Sequence, residues 1–428
     1  MKTTLLSCTM ATLLFLAFFS FTACHKTPVN PGTEPVVKTG TASQVTKNSA
    51  VVSGEVTNDG GHAVTEKGFF FSFNNSPTDQ SNKIIGGQGT GAFTCNLWSL
   101  KENTPYYYMA YATNSLGTAY GSVKSFTTSR DAVLTVTGDS LLKMTSVIIK
   151  MNIDPYGSTI TESGICYGAN HNPTTSDSKV TTTSQSGPMD ISLTGLEANT
   201  HYYVRGYAVT STGTLYSPEY TVWTYALMDY DGNGYHAVTI GTQTWLRENW
   251  KCTHYNNGDL IPNITDDPSW AQATAGAMCW YNNDRAKYDS VYGAMYNWYA
   301  VNDPRGLAPK GWHVSSEKEY VTLILYLGTW KIAGGKLKET GTKHWKAPNT
   351  GATNSTEFTA LPGGDRGSGH GKIGHFWDLH TDAVFWTSDR APFENSAWAM
   401  YTSYNNSGLH SGEAFDNASG FSIRLVKN

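Results

Sequence analysis

The sequence predicts a mainly β, multidomain protein in which two β-sandwiches are followed by an α+β domain. Three observations lead there. A block of about 96 residues occurs twice in tandem. Inside each copy, short runs rich in β-branched residues alternate with Asn, Asp and Gly. The last two hundred or so residues abandon that repeat and gather eleven of the thirteen tryptophans, from Trp245 to Trp398. Charged residues make up 15% of the chain against 42 glycines and 25 tyrosines, the aromatic, turn-rich mixture of β-rich secreted modules. At 428 residues the chain exceeds one ordinary core, and its net charge of −4 offers no basic face for tracking phosphates, so nucleic acid is not an expected partner.

The first residues set the compartment. Lys2 precedes an apolar run from Leu5 to Phe21 that ends in Phe21-Thr22-Ala23-Cys24, the layout of a secretory signal. FTAC resembles the lipobox of bacterial lipoproteins, which implies cleavage before Cys24 and diacylation of its thiol. An ordinary cleaved signal and a short membrane anchor are the alternatives. Several acyl chains hold a protein on a bilayer, each buried methylene adding about 0.8 kcal/mol. HKTPVNPGTEPVV then reads as an extended spacer. The expected layout is a signal over 1–23, a lipidated N-terminus and spacer over 24–37, sandwiches over 38–129 and 130–226, and a third domain over 229–428. The expected partner is a membrane, through the lipid, and the expected location is the cell envelope, as an outer-membrane lipoprotein facing outward.

The repeat is legible in LWSLKENTPYYYMAYATNSLGTAYG against LTGLEANTHYYVRGYAVTSTGTLYS, and in Thr65-Glu66-Lys67-Gly68-Phe69 against Thr161-Glu162-Ser163-Gly164-Ile165. The pattern Leu100 to Tyr106, repeated as Leu196 to Tyr202, resembles the tyrosine corner of fibronectin type III domains. That resemblance implies that Tyr106 and Tyr202 bond through their hydroxyls to the nearby backbone. Neither copy holds a cysteine pair, so Cys95 and Cys166 are expected as buried free thiols. The sandwiches are expected as spacers.

The third domain opens with Asp229-Tyr230-Asp231-Gly232-Asn233-Gly234-Tyr235. Asp229, Asp231 and Asn233 fit the front of an EF-hand loop and are the weak metal candidates, but the twelfth position is Ile240 where a bidentate Glu is needed. The expected structure is a turn feeding a strand that begins near His236. Ser316 and Glu319 form a capping box for a helix that buries Tyr320, Leu323, Ile324 and Leu327 and ends at Gly328. A second short helix is expected from about Tyr292 to Val301, and a half-buried final strand over Gly420 to Leu425.

The runs DYDGNGYHAVTIGTQTWLRENWK, GAMCWYNNDRAKYDSVYGAMYNWYAV, GLAPKGWHVSSEKEYVTL, TALPGGDRGSG, FWTSD and GFSIRLVKN resemble, in order, the motifs of the Fibrobacter succinogenes major paralogous domain, a family without an established biochemical activity. The GWH helix opening and the GFxxR strand further resemble the C-type lectin-like fold and the formylglycine-generating enzymes. The resemblance implies that the first and last strands pair and that the stretch from about Gly334 to Ser411 carries a site. The enzyme is disfavoured because its Cu(I) needs a C-terminal cysteine pair and none follows Cys279. Calcium-dependent sugar binding lacks its motif, since Ala347-Pro348-Asn349 has no carboxylate. His370 and His375 lie in a glycine-rich loop without ligand spacing.

The expected function is a non-catalytic head for adhesion or recognition of a glycan or surface protein, needing no cofactor; an enzyme of the formylglycine-generating-like fold and a purely structural surface protein are the alternatives. Arg366, Trp377, Trp386, Asp389 and Asn405 are the head's candidate ligand-binding residues, the indoles stacking on sugar faces and the polar groups fixing hydroxyls. Most tryptophans are expected in the core. Cys252 and Cys279 stand either bridged or free. Related domains carry a cysteine where this chain has Ala308.

Overall fold

The computed structural model describes residues 31–78, 81–367 and 374–428. The lipidation reading at Cys24 lies outside the described residues. The chain divides into two compact units, one ending at Arg130 and the other Asp131–Asn428.

The two repeat copies have one topology. In the first, Val36–Ser43, Ala50–Asn58 and Gly91–Leu97 form one antiparallel sheet. Asn82–Gly87, Glu66–Ser72, Pro105–Asn114, Gly117–Tyr120 and Lys124–Thr127 form the other. The second copy repeats this with Val133–Ser140, Ser146–Asp154 and Gly187–Thr194 facing Ser178–Thr182, Ile160–Gly168, His201–Thr210, Gly213–Tyr216 and Tyr220–Trp223. Alternate residues point inward, placing Val52, Leu97, Phe69 and Tyr108 in one core and Ile149, Leu193, Ile165 and Val204 in the other.

The tyrosine corner is built identically in each copy. The Lys101 amide donates to the Tyr106 hydroxyl at 2.9 Å, and the Thr128 hydroxyl donates to the Lys101 carbonyl at 2.6 Å. The Glu197 amide and carbonyl make the same two bonds, to Tyr202 at 3.0 Å and from Thr224 at 2.7 Å. Both polar groups of one loop residue are thus satisfied by side chains, so the chain can cross between sheets without orphaned backbone. Cys95 and Cys166 are buried free thiols, and burial pushes Cys166 up to about 11.

The third domain begins slightly before the expected boundary, because Leu227–Met228 pairs with Gly234–Tyr235 and Leu227 is buried in the domain's core. The hairpin Ala237–Ile240 and Gln243–Leu246 follows. Gln243–Leu246 pairs with the closing strand Leu425–Lys427, which also pairs with Trp312–Val314, so the two ends of the domain meet in one sheet. A second sheet is formed by Asp382–Arg390, Ser396–Ser403 and His410–Asp416.

Among the described residues, five α-helices lie between: α1 (Asp267–Ala271), α2 (Arg285–Tyr292), α3 (Trp298–Val301), α4 (Glu317–Leu327) and α5 (Trp330–Leu337). Helix α4 has the expected capping box, buried face and terminal Gly328. The second expected helix is corrected. Gly293, at φ +73, ends α2, and Met295–Tyr296 leaves as a strand against Met278–Cys279, so only one helical turn follows in α3.

The closing segment also departs from expectation. It is buried on both faces, with regular pairing only over Leu425–Lys427. Its two polar positions are buried because they are bonded. Arg424, 1% exposed, donates from Nε to Asn249, from Nη1 to the carbonyls of Leu246, Arg247 and Phe358, and from Nη2 to that of Thr359. Its plane lies 4.2 Å from the Phe358 ring centre. Ser422 accepts from Asn249 at 3.2 Å. Burial lowers the Arg424 guanidinium to about 10, which leaves it charged at neutral pH.

Lys338 repeats the device. It is fully buried, and its ammonium donates to the carbonyls of Thr350, Ser403 and Asn406 at 2.7–2.9 Å.

Within the second unit, the second sandwich and the third domain share a bonded joint. The Asn199 side chain donates to the Ala237 carbonyl at 3.0 Å and accepts from its amide at 2.9 Å. His236 sits 4.2 Å from the Trp223 ring, its Nδ1 2.8 Å from Glu248 Oε1 and its Nε2 3.1 Å from the Trp223 carbonyl. Burial acts to raise the Glu248 carboxyl, but the His236 ring and amide, with Arg424 behind, hold it below its ordinary value.

Two outcomes follow. Arg424→Met, which keeps bulk but orphans five acceptors, should cost roughly 3–5 kcal/mol in denaturant unfolding monitored by tryptophan fluorescence. A cost below about 1 kcal/mol would contradict the role given to this side chain. Because the folded carboxyl of Glu248 is depressed, its contribution is present above the unfolded value near 4.5 and is lost as pH falls through the folded one. Glu248→Gln should therefore be less stable than the parent at pH 7, with the gap closing at acid pH; a gap constant across an acid titration would refute the assignment.

Candidate functional site

Three of the five candidate residues have structural surroundings and two are exposed. Arg366 is fully buried. It donates to the carbonyls of Gly374, Ile264 and Thr265 and to Asp267 at 2.6–3.0 Å, between the rings of Trp270 and Phe376 at 4.6 Å each. It pins a loop to α1 and offers no donor to a ligand. Trp386 is likewise fully buried, its indole N–H on the Tyr296 carbonyl at 2.8 Å and its ring against Phe421. Asp389 accepts the Glu317 amide at 2.6 Å and so caps α4, where the helix dipole favours a carboxylate. Asn405 is exposed in the loop after Ser403. Trp377 is 42% exposed, so of the two indoles one lies at the surface and the other in the core. None of the five lines the three clefts formed by the described residues around Arg424, around Trp223 and around Tyr255. Arg366 and Trp386 depart from the expectation of a ligand-facing side chain, because an Arg in a glycine-rich loop or a Trp in a strand signals buried packing as readily as exposure.

The opening loop resolves as a turn closed by its own side chains. Asp229 accepts from the Asn233 amide and side chain at 2.9 and 2.8 Å and from the Tyr235 hydroxyl at 2.6 Å. Asp231 accepts from the Thr253 amide at 2.6 Å and contacts the His254 ring. Gly232, at φ +82, makes the reversal. Among the described residues, Asp229, Asp231 and Cys252 form a group whose ligating atoms lie within 4.8 Å of one another. Both carboxylates are already engaged there, Asn233 faces Asp229, and burial pushes the Cys252 thiol up to about 12, into its neutral form.

Cys252 and Cys279 are free and lie in different hydrophobic clusters, so the bridge is not formed. His370 lies outside the described residues, and His375 pairs with Asp267 at 2.8 Å.

A cleft that the sequence did not single out lies on the other side of Arg424. It has a volume of about 350 Å³, within the range of small-ligand sites. Its walls are the Arg247-Glu248-Asn249 run with Lys251, the last turn of α2 with Asp289, Ser290 and Gly293, the loop Lys343-His344, and Thr359 with Leu361. Arg424 and Asn249 form its floor. Asn249 is fixed there by donating to the Tyr292 carbonyl at 2.8 Å and accepting from Arg424 Nε at 2.8 Å. Gly293 permits this closeness, since a Cβ there would meet Asn249 and Trp250 at 3.0–3.1 Å.

The charges in the cleft are unequally committed. Glu248 is held by His236, Asp289 accepts the Trp280 indole N–H at 2.6 Å, and His344 pairs with Glu339 at 2.9 Å. Arg247 uses Nε on Thr359 at 3.2 Å and stacks on Trp223 at 5.2 Å. Lys251 and Lys343 make no ion pair or hydrogen bond through their ammonium groups among the described residues. The available signal was RENWK itself, three charges in five residues of a charge-poor chain, placed directly after the first hairpin.

No curated protein matches this chain. Among solved structures, the chicken CNTN1 FN1–FN3 domains are 16% identical over 45% of this chain and 69% of that one, with a TM-score of 0.22. The sensor domain of the anti-sigma factor RsgI4 from Pseudobacteroides cellulosolvens is 17% identical over 22% and 95%, with a TM-score of 0.19. A structure described as that of a myokine is 26% identical over 23% and 99%, also at 0.19. Residues 238–427, the segment holding every residue of the cleft, match the Fibrobacter succinogenes major domain.

Proposed function

We propose that this is a lipid-anchored cell-envelope protein that displays a non-catalytic recognition head beyond two β-sandwich spacers. The observation that carries the reading is the 350 Å³ cleft, open to solvent, with polar groups from four separate chain segments around a rigid bonded floor. A preformed concave site with a few convergent polar groups is the arrangement that small ligands or single sugar units require. The lipid anchor draws support from FTAC at Phe21 to Cys24. The C-type lectin-like reading of the head draws support from the pairing of Gln243–Leu246 with Leu425–Lys427, which joins the domain's ends. The ligand is a glycan or a surface-protein epitope, and the face of the envelope is the outer one.

Applied to a glycan array with and without chelator, the full-length chain should give specific signals that survive chelation, because the cleft's polar groups are side chains and not ion ligands. Signals abolished by chelator would return the function to a metal. In membrane fractionation, Cys24→Ser should move the protein from the membrane pellet to the soluble fraction; retention in the pellet would overturn the anchor.

A further inference from the structure

We infer that the cleft takes an anionic saccharide, recognised through a carboxylate or sulfate on the sugar. This rests on the recognition reading above and adds the chemistry of the ligand. The chain as a whole is acidic, at −4, yet Arg247, Lys251, Lys343 and Arg424 converge on this cavity against the carboxylates of Glu248 and Asp289. Both carboxylates are taken up by donors, Glu248 by His236 and Asp289 by the Trp280 indole. Arg424 is consumed by its own acceptors, and the other three cations are not. Lys251 and Lys343 line the same cavity from separate chain segments without a partner among the described residues, and Arg247 commits only Nε to a polar contact.

Lys251, Lys343 and Arg247 line one cavity, and an anion bound there would balance their like charge while gaining charge-assisted hydrogen bonds. The other lining groups suit the remainder of a sugar. Asn249, Ser290 and Thr359 offer polar atoms for hydroxyls, and Val291 and Leu361 give an apolar wall for C–H faces. The cavity's volume suits one or two sugar units rather than a folded partner.

The test uses the full-length chain, trigalacturonic acid and its methyl ester, which keeps the shape and removes the charge, in calorimetric titrations. The acid should bind, the ester about tenfold or more weaker, and raising salt should weaken the acid. Lys251→Gln with Lys343→Gln should reduce acid binding about tenfold or more at unchanged melting temperature, whereas the exposed Lys318→Gln, outside the cleft, should leave it intact. A sulfated galactose trimer run beside the acid distinguishes carboxylate from sulfate as the preferred anion. Equal binding of acid and ester would overturn the charge assignment and leave the recognition reading standing. Full binding by the double lysine variant would place the ligand elsewhere. Silence of both anionic probes, with a neutral glycan bound on the array, would reject the anionic class alone; silence of probes and array together would reject both readings.

Discussion

The third domain depends on a buried guanidinium that has no carboxylate partner. Arg424 holds the end of the first hairpin through Leu246 and Arg247, the middle of the domain through Phe358 and Thr359, and the floor residue Asn249, while its own backbone leads into the closing strand. A buried cation is tolerated when its donors are satisfied, and here the carbonyls of a strand end and of loops, with one side-chain amide, do that work. Lys338 meets three carbonyls without a carboxylate, and Arg366 meets three carbonyls together with Asp267, so irregular segments here are fixed by buried cations as well as by apolar packing.

This constraint ties fold to site. The cleft's floor is the outer side of the Arg424 cage: Asn249 is oriented by it, and Arg247 both gives it a carbonyl and sends its own side chain to the rim. Charges that fold the domain are consumed inside, while Lys251 and Lys343 are left at the mouth. The same segment reaches the second sandwich, because Glu248 grips His236 at the joint. Cleft and joint therefore share a five-residue run.

Much of the architecture was legible because it rests on local chemistry. The tandem sandwiches follow from strand periodicity and from a corner motif whose Tyr and backbone partner lie five residues apart, and α4 follows from Ser316, Glu319 and Gly328. The candidate site was not legible. Whether Arg366 or Asp389 faces solvent depends on partners about a hundred residues away for the first, at Ile264 to Asp267, and some seventy for the second, at Glu317. Gly420 to Leu425 was misjudged for the same reason, since alternation signals half-burial unless the polar positions find distant partners, as Ser422 and Arg424 do. Gly293 ended a helix that apolar spacing alone would have continued.

Hydrogen exchange on the full-length chain measures the central claim most directly. If Arg424 locks the domain, the amides of 245–250, 358–360 and 421–426 open together, in one cooperative event at the domain's global unfolding free energy. Independent, early exchange of 358–360 while the other two segments remain protected would show that the guanidinium cage does not hold the domain together.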